Sequence, residues 1–149
     1  MGIKPRFTPA DVRKMLEVKM KRIDDAIIAR LQYIGESFVN NARRNNTYRD
    51  ITGNLRSSIG YIILKNGKTL IKNFEESAKG SDKSGGVIQA KKFSKEIAGQ
   101  LGKGYVLVVV AGMDYAAAVE SLGKDVLTAS SIIAKNQLIE AIRNFKKTL

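Results

Sequence analysis

The chain is predicted to fold as an α+β domain, with a long N-terminal helix and a C-terminal helix packed on a small, mainly antiparallel sheet. Three observations predict it. Apolar residues recur every three or four positions from residue 12 to residue 38 and again after residue 128, which is the spacing of one helix face. Two apolar runs, Ser57 to Leu64 and Tyr105 to Ala111, are rich in the β-branched and aromatic residues that fit a pleated surface. Between Leu64 and Thr69 stands Asn66-Gly67, a pair that accepts the positive φ angles of a two-residue hairpin turn. At 149 residues the chain is read as a single domain, 1–149, of a size that buries roughly 70% of the surface exposed by the unfolded chain.

The first helix starts at a hydroxyl cap, Thr8, followed by Pro9 where no N–H is needed and by Asp11 near the positive end of the helix dipole. Val12, Leu16, Met20, Ile23, Ile27, Leu31, Ile34 and Phe38 keep one stripe in line to about Ala42, and Asn45-Asn46-Thr47 ends it. Some 37 residues at ~1.5 Å each span roughly 55 Å, against a diameter of roughly 40 Å for a compact domain of this length. The helix therefore either bends, with Gly35 as the natural place, or projects one end and buries its stripe against a neighbouring subunit.

Ser57–Leu64 then reads as a strand that turns at Asn66-Gly67 into Thr69–Asn73, with Lys65, Lys68 and Lys72 solvated at the edges. Residues 75–104 form an excursion from the sheet, a mobile or helical insert. Its first part, Glu75–Gly86, has little apolar surface to offset the entropy of ordering, and Val87, Phe93, Ile97 and Leu101 mark the inner face of a short helix. Tyr105–Ala111 is apolar at every position, as expected of a central strand covered on both faces. Asp114–Glu120 follows as a short helix or turn, and Gly123 breaks the chain. The last helix starts near Thr128 or Ser130, with Ile132, Ile139, Ile142 and Phe145 on one side, Leu138 and Leu149 flanking, and Arg143, Lys146 and Lys147 at its negative end.

Composition narrows the function. The chain has neither cysteine nor histidine, so thiol nucleophiles, disulfides, cysteine metal sites and the usual near-neutral acid–base group are all missing. No cofactor and no metal site is expected: Asp114, Glu120 and Asp125 match no calcium-loop spacing, and Asp24-Asp25 and Glu75-Glu76 read as solvated surface charge. Ser121-Leu122-Gly123-Lys124 matches a serine–lysine pattern without its companion motifs. Gly99-Gln100-Leu101-Gly102-Lys103-Gly104 enters a strand, where a phosphate-binding loop would open a helix. No run is long and apolar enough to span a membrane. The net charge is +12, and residues 1–104 hold 21 of the 26 Lys and Arg. Such a field attracts polyanions without regard to sequence, which allows non-specific contact with DNA.

The stretch Asp50-Ile51-Thr52-Gly53-Asn54-Leu55-Arg56-Ser57-Ser58-Ile59 joins a turn to an apolar strand. Gly53 suits a backbone angle closed to other residues, and Thr and Asn side chains can bond the turn's own backbone. The turn then aims Leu55 inward and Arg56 outward, where Arg56 can pair with a carboxylate such as Glu120 across the fold or the subunit boundary. Its distant companion is Tyr115-Ala116, followed by Val119-Glu120. In this order, between a basic N-terminal helix and a terminal helix, these motifs resemble the tail-completion (head-tail joining, or neck) proteins of long-tailed phages.

The resemblance implies an α+β subunit of a homo-oligomeric ring between capsid portal and tail, with no catalysis. It marks Thr52, Gly53, Leu55, Arg56, Ser58, Ile59, Tyr115, Ala116, Val119 and Glu120 as family motif and interface. Other phage neck or tail proteins are the expected partners, in the host cytoplasm during assembly and then in the virion neck or tail. The alternative reading is a basic nucleic-acid-binding accessory protein acting as a monomer or dimer. A third, a metal-dependent nuclease using Asp114, Glu120 and a lysine, is weaker.

Overall fold

A computed structural model describes residues 6–45 and 47–148; the expectations for Met1–Pro5, Asn46 and Leu149 lie outside them. In chain order the elements are α1 (Pro9–Arg44), α2 (Asn54–Ser57), β1 (Ile59–Lys65), β2 (Lys68–Asn73), α3 (Ser84–Ala98), β3 (Tyr105–Ala111), α4 (Ala116–Ser121) and α5 (Thr128–Thr148). The three strands form one antiparallel sheet in the order β2-β1-β3. The architecture is the predicted α+β fold, with helices on both faces of the sheet.

Thr8 caps α1 through a reciprocal box: its hydroxyl accepts from the Asp11 amide at 3.2 Å, while the Asp11 carboxylate accepts from the Thr8 amide at 2.8 Å. This satisfies two of the donors that every helix start leaves open. The C-terminal half of α1 lies on the sheet, where Leu31, Phe38, Val39 and Ala42 bury Ile59, Tyr61 and Ile63. Glu36 fixes the crossing, since its Oε1 accepts from Tyr61 Oη and from Asn73 Nδ2, both at 2.7 Å. Gly35 is a close contact: a Cβ there would come within 2.8 Å of the Tyr61 ring, and α1 runs unbroken through it.

The buried centre of the sheet is β1, where the sequence pointed to Tyr105–Ala111. Ile59 to Leu64 are all buried, one set of alternate residues against α1 and the other toward α3, which packs on β1 and β3. In β3 only Val110 is fully buried, because the strand order leaves its outer side without a neighbouring strand among the described residues. Both runs are apolar enough for the central place; hairpin pairing gives it to β1, which is flanked by β2 through the turn and by β3 from afar. That turn has Asn66 at φ 51° and Gly67 at φ 78°, as the Asn-Gly pair requires. β1 also starts two residues later than expected, because Asn54–Ser57 forms a helical turn.

Two helices match the faces their periodicity indicated only in part: Val87 and Ile97 of α3 and Leu138 and Phe145 of α5 are half-buried, as expected. In α3 the buried positions are Gly86, Ala90 and Ser94, and Phe93 is exposed. The small residues let α3 approach so closely that a side chain on Gly112 would strike the Ala90 backbone. In α5 Ile132, Ile139 and Ile142 face outward; Ser130, Ala134 and Leu138 face the body. Asp125 N donates to Thr47 Oγ1 at 2.8 Å and Gln137 meets Ser37 at 3.5 Å, so α5 runs antiparallel to α1. Among the described residues no helix is long and apolar enough to cross a membrane.

Candidate assembly site at one end of the sheet

Asp50 organises the first motif. One carboxylate oxygen accepts from the Gly53 amide at 3.0 Å and the other from the Arg56 amide at 2.8 Å, so the side chain caps the turn α2 from outside. Gly53 holds φ 81°, and a Cβ there would overlap the Lys79 carbonyl oxygen. Glycine is needed twice over, for the angle and for the space. Thr52 Oγ1 accepts from the Asn54 amide at 3.3 Å. Leu55 points into the protein, 2% exposed, as the turn predicts.

The same motif receives the insert. Ser77 N donates to Ser57 Oγ at 2.9 Å, Asp82 N to the Thr52 carbonyl at 3.0 Å, and Gly86 N to Asn54 Oδ1 at 2.7 Å. Ser57 in turn donates to the Gly53 carbonyl at 2.6 Å, and Ser58 to the Leu55 carbonyl at 2.7 Å. Residues 75–86 thus lie against Thr52–Ser57 by polar bonds rather than apolar burial. Counting apolar residues along 75–86 could not show this contact. Gly80 and Gly86 were the available signal, since their backbones approach those of Thr52 and Asn54 too closely for a side chain.

The second motif meets the first in a small core. Tyr48, Leu55, Ala116 and Val126 are buried together, with Met113, Val119 and Leu127 packed around them. Leu55 and Ala116, sixty-one positions apart, therefore share one end of the sheet, the end where Gly112 N donates to the Ser58 carbonyl at 3.1 Å. Of the ten marked residues, Gly53, Leu55, Ser58, Ile59 and Ala116 are buried within the protomer, while Thr52 and Tyr115 are exposed. Arg56, Val119 and Glu120 lie between.

Glu120 is committed to α5. Its Oε1 accepts from the Leu127 amide at 3.1 Å, the Thr128 amide at 2.8 Å and the Thr128 hydroxyl at 2.6 Å. Burial pushes its pKa up, and the hydrogen bonds from Thr128, Leu127 and Val126 outweigh that and hold it below the ordinary carboxylate value. Within the protomer no ion pair joins it to Arg56 among the described residues: Glu120 Oε1 caps α5, and Arg56 Nε is buried without a hydrogen-bond partner.

Asp24, read from the sequence as solvated, is held by Lys65 Nζ and Tyr105 Oη, and those bonds lower its pKa. It ties α1 to the adjoining ends of β1 and β3, a contact between residues 41 and 81 positions apart that carried no local signal. Asp125 Oδ1 accepts from the Ala129 amide at 3.1 Å. Among the described residues no three acidic side chains gather as a metal site. The chain matches no known protein family, no curated protein and no solved structure.

Proposed function

We propose that the chain is a structural, non-enzymatic assembly protein: a head-tail connector or tail-completion subunit of a phage or prophage, forming a homo-oligomeric ring with other neck or tail proteins as partners. The observation that carries this reading is that the two halves of the motif, Thr52–Ile59 and Tyr115–Glu120, pack into one core at one end of the sheet. Their order in the sequence is thereby a unit in space, as in a subunit whose neighbours engage that end. The sheet edges support it too. β2 is blunted by exposed Lys68 and Lys72 and by a bulge at Ile63/Leu64, whereas β3 offers seven uncharged residues and an open edge, a surface that proteins otherwise protect.

The second reading, a basic accessory protein on nucleic acid, is favoured by the outer face of α3, where exposed Lys91, Lys92 and Lys95 flank exposed Phe93. Lysines supply phosphate contacts and an aromatic ring can stack on a base. Electron microscopy of the purified chain, alone and with duplex DNA, separates the two. Closed rings without DNA support the neck reading, and DNA-coated filaments or bare small particles that shift only with DNA support the other.

A further inference from the structure

Residues 9–22 of α1 are exposed all round and extend roughly 20 Å beyond the body. Their apolar side is the same stripe that, further along, buries Ile27, Leu31 and Phe38 on the sheet. Val12 is 40% exposed, Leu16 55%, Met15 64% and Met20 66%. Phe7, Val12, Met15, Leu16 and Lys19 line one shallow groove, so they share a face. Among the described residues of one protomer nothing covers it.

We propose that this half of α1 pairs antiparallel with the same half of a second copy, about a two-fold axis beside Leu16. Charge selects this occupant. At about 100° per residue, Arg13 and Glu17 fall on one flank of the stripe, at about 60° and about 100° from Leu16, and Lys19 falls on the other at about 60°. A perpendicular two-fold sets each flank against the same flank of the second copy and brings residues whose numbers sum to 32 level with each other. Glu17 lies roughly 3 Å along the axis from Arg13 of the second copy. That flank thus sets acid beside base, twice by symmetry, while Leu16 meets Leu16 and Val12 meets Met20. A lipid surface would be served by basic flanks alone, without Glu17 between Arg13 and the stripe's other charges. The contact closes at two copies, so it is not the one that closes a ring; it gives dimers from free subunits and paired rings from assembled ones, and it stands apart from the neck reading.

Light scattering on the full chain tests it. Leu16→Glu is expected to halve the particle mass with an unchanged circular dichroism spectrum, because Leu16 is exposed in the protomer. Arg13→Glu and Glu17→Arg each weaken the association, and an equimolar mixture of the two restores it. The chain has no cysteine, so oxidation of mixed Val12→Cys and Met20→Cys proteins gives a disulfide-linked heterodimer that neither forms alone. Unchanged mass in Leu16→Glu overturns the proposal. So does failure of the charge mixture or the mixed disulfide, or a wild-type monomer that instead binds phosphatidylglycerol vesicles.

Discussion

Glu120 Oε1 takes two hydrogen bonds from Thr128, one from its amide at 2.8 Å and one from its hydroxyl at 2.6 Å. The side chain of α4 thereby serves as the cap of α5 and joins the second motif to the terminal helix. Glu120→Ala is expected to cost about 1 kcal/mol, the usual loss on removing a helix cap, which calorimetry reads as a fall of roughly 2–4 °C in melting temperature.

The same carboxylate sets a pH dependence. Its pKa in the fold is lowered, so its contribution is complete above the unfolded value of about 4.3 and is lost as pH falls through the lower folded value. Acidification from about pH 5 to about pH 3 should reduce stability, and Glu120→Gln should flatten that part of the curve. An equally steep acid limb in Glu120→Gln would place the loss on other carboxylates.

The folded ends of α1 and the hairpin were legible in the sequence because their causes are local. Thr8, Pro9 and Asp11 are neighbours, and Asn66-Gly67 sets its own turn. What the sequence hid depends on distant partners. Which apolar run takes the centre of the sheet follows from pairing, and both β1 and β3 satisfy the local criterion. The inner face of α3 is built from Gly86, Ala90 and Ser94, which a search for large apolar residues passes over. In α5 the isoleucines follow a helical period and yet face outward, since periodicity shows that a face exists without saying what covers it. At the motif, Leu55 was placed correctly by the turn alone, whereas the role of Glu120 required knowing where α5 begins.

Gly53 and Gly123 separate two costs of a side chain. Both hold positive φ, 81° and 76°, but a Cβ at Gly53 overlaps the Lys79 carbonyl while one at Gly123 meets nothing within 4 Å. Gly123→Ala should cost about 1–2 kcal/mol, the strain of the left-handed conformation alone. Gly53→Ala should cost clearly more, because residues 79–80 must also move, and should expose the 75–86 segment to limited proteolysis. Equal costs in urea unfolding would mean that this segment is not held against the motif.

Arg56 and Glu120 are expected to act independently. In a double-mutant cycle, the losses from Arg56→Ala and Glu120→Ala should add within about 0.5 kcal/mol. A coupling above about 1 kcal/mol would show a direct interaction.

Gly35→Ala tests the packing of α1 on the sheet. The added methyl group meets the Tyr61 ring, so the variant should lose about 1–3 kcal/mol as an overpacked core does. A gain in stability, as when glycine is replaced in an unhindered helix, would show that Gly35 does not lie against that ring.

The central claim, that the chain is a subunit of a homo-oligomeric assembly rather than a protein working on nucleic acid, is tested most directly by its mass. Light scattering at low and high salt, with and without duplex DNA, should give a closed particle that keeps more than two copies at high salt and gains no mass on DNA. A monomer or dimer that gains mass on DNA and releases it as salt rises would contradict the claim.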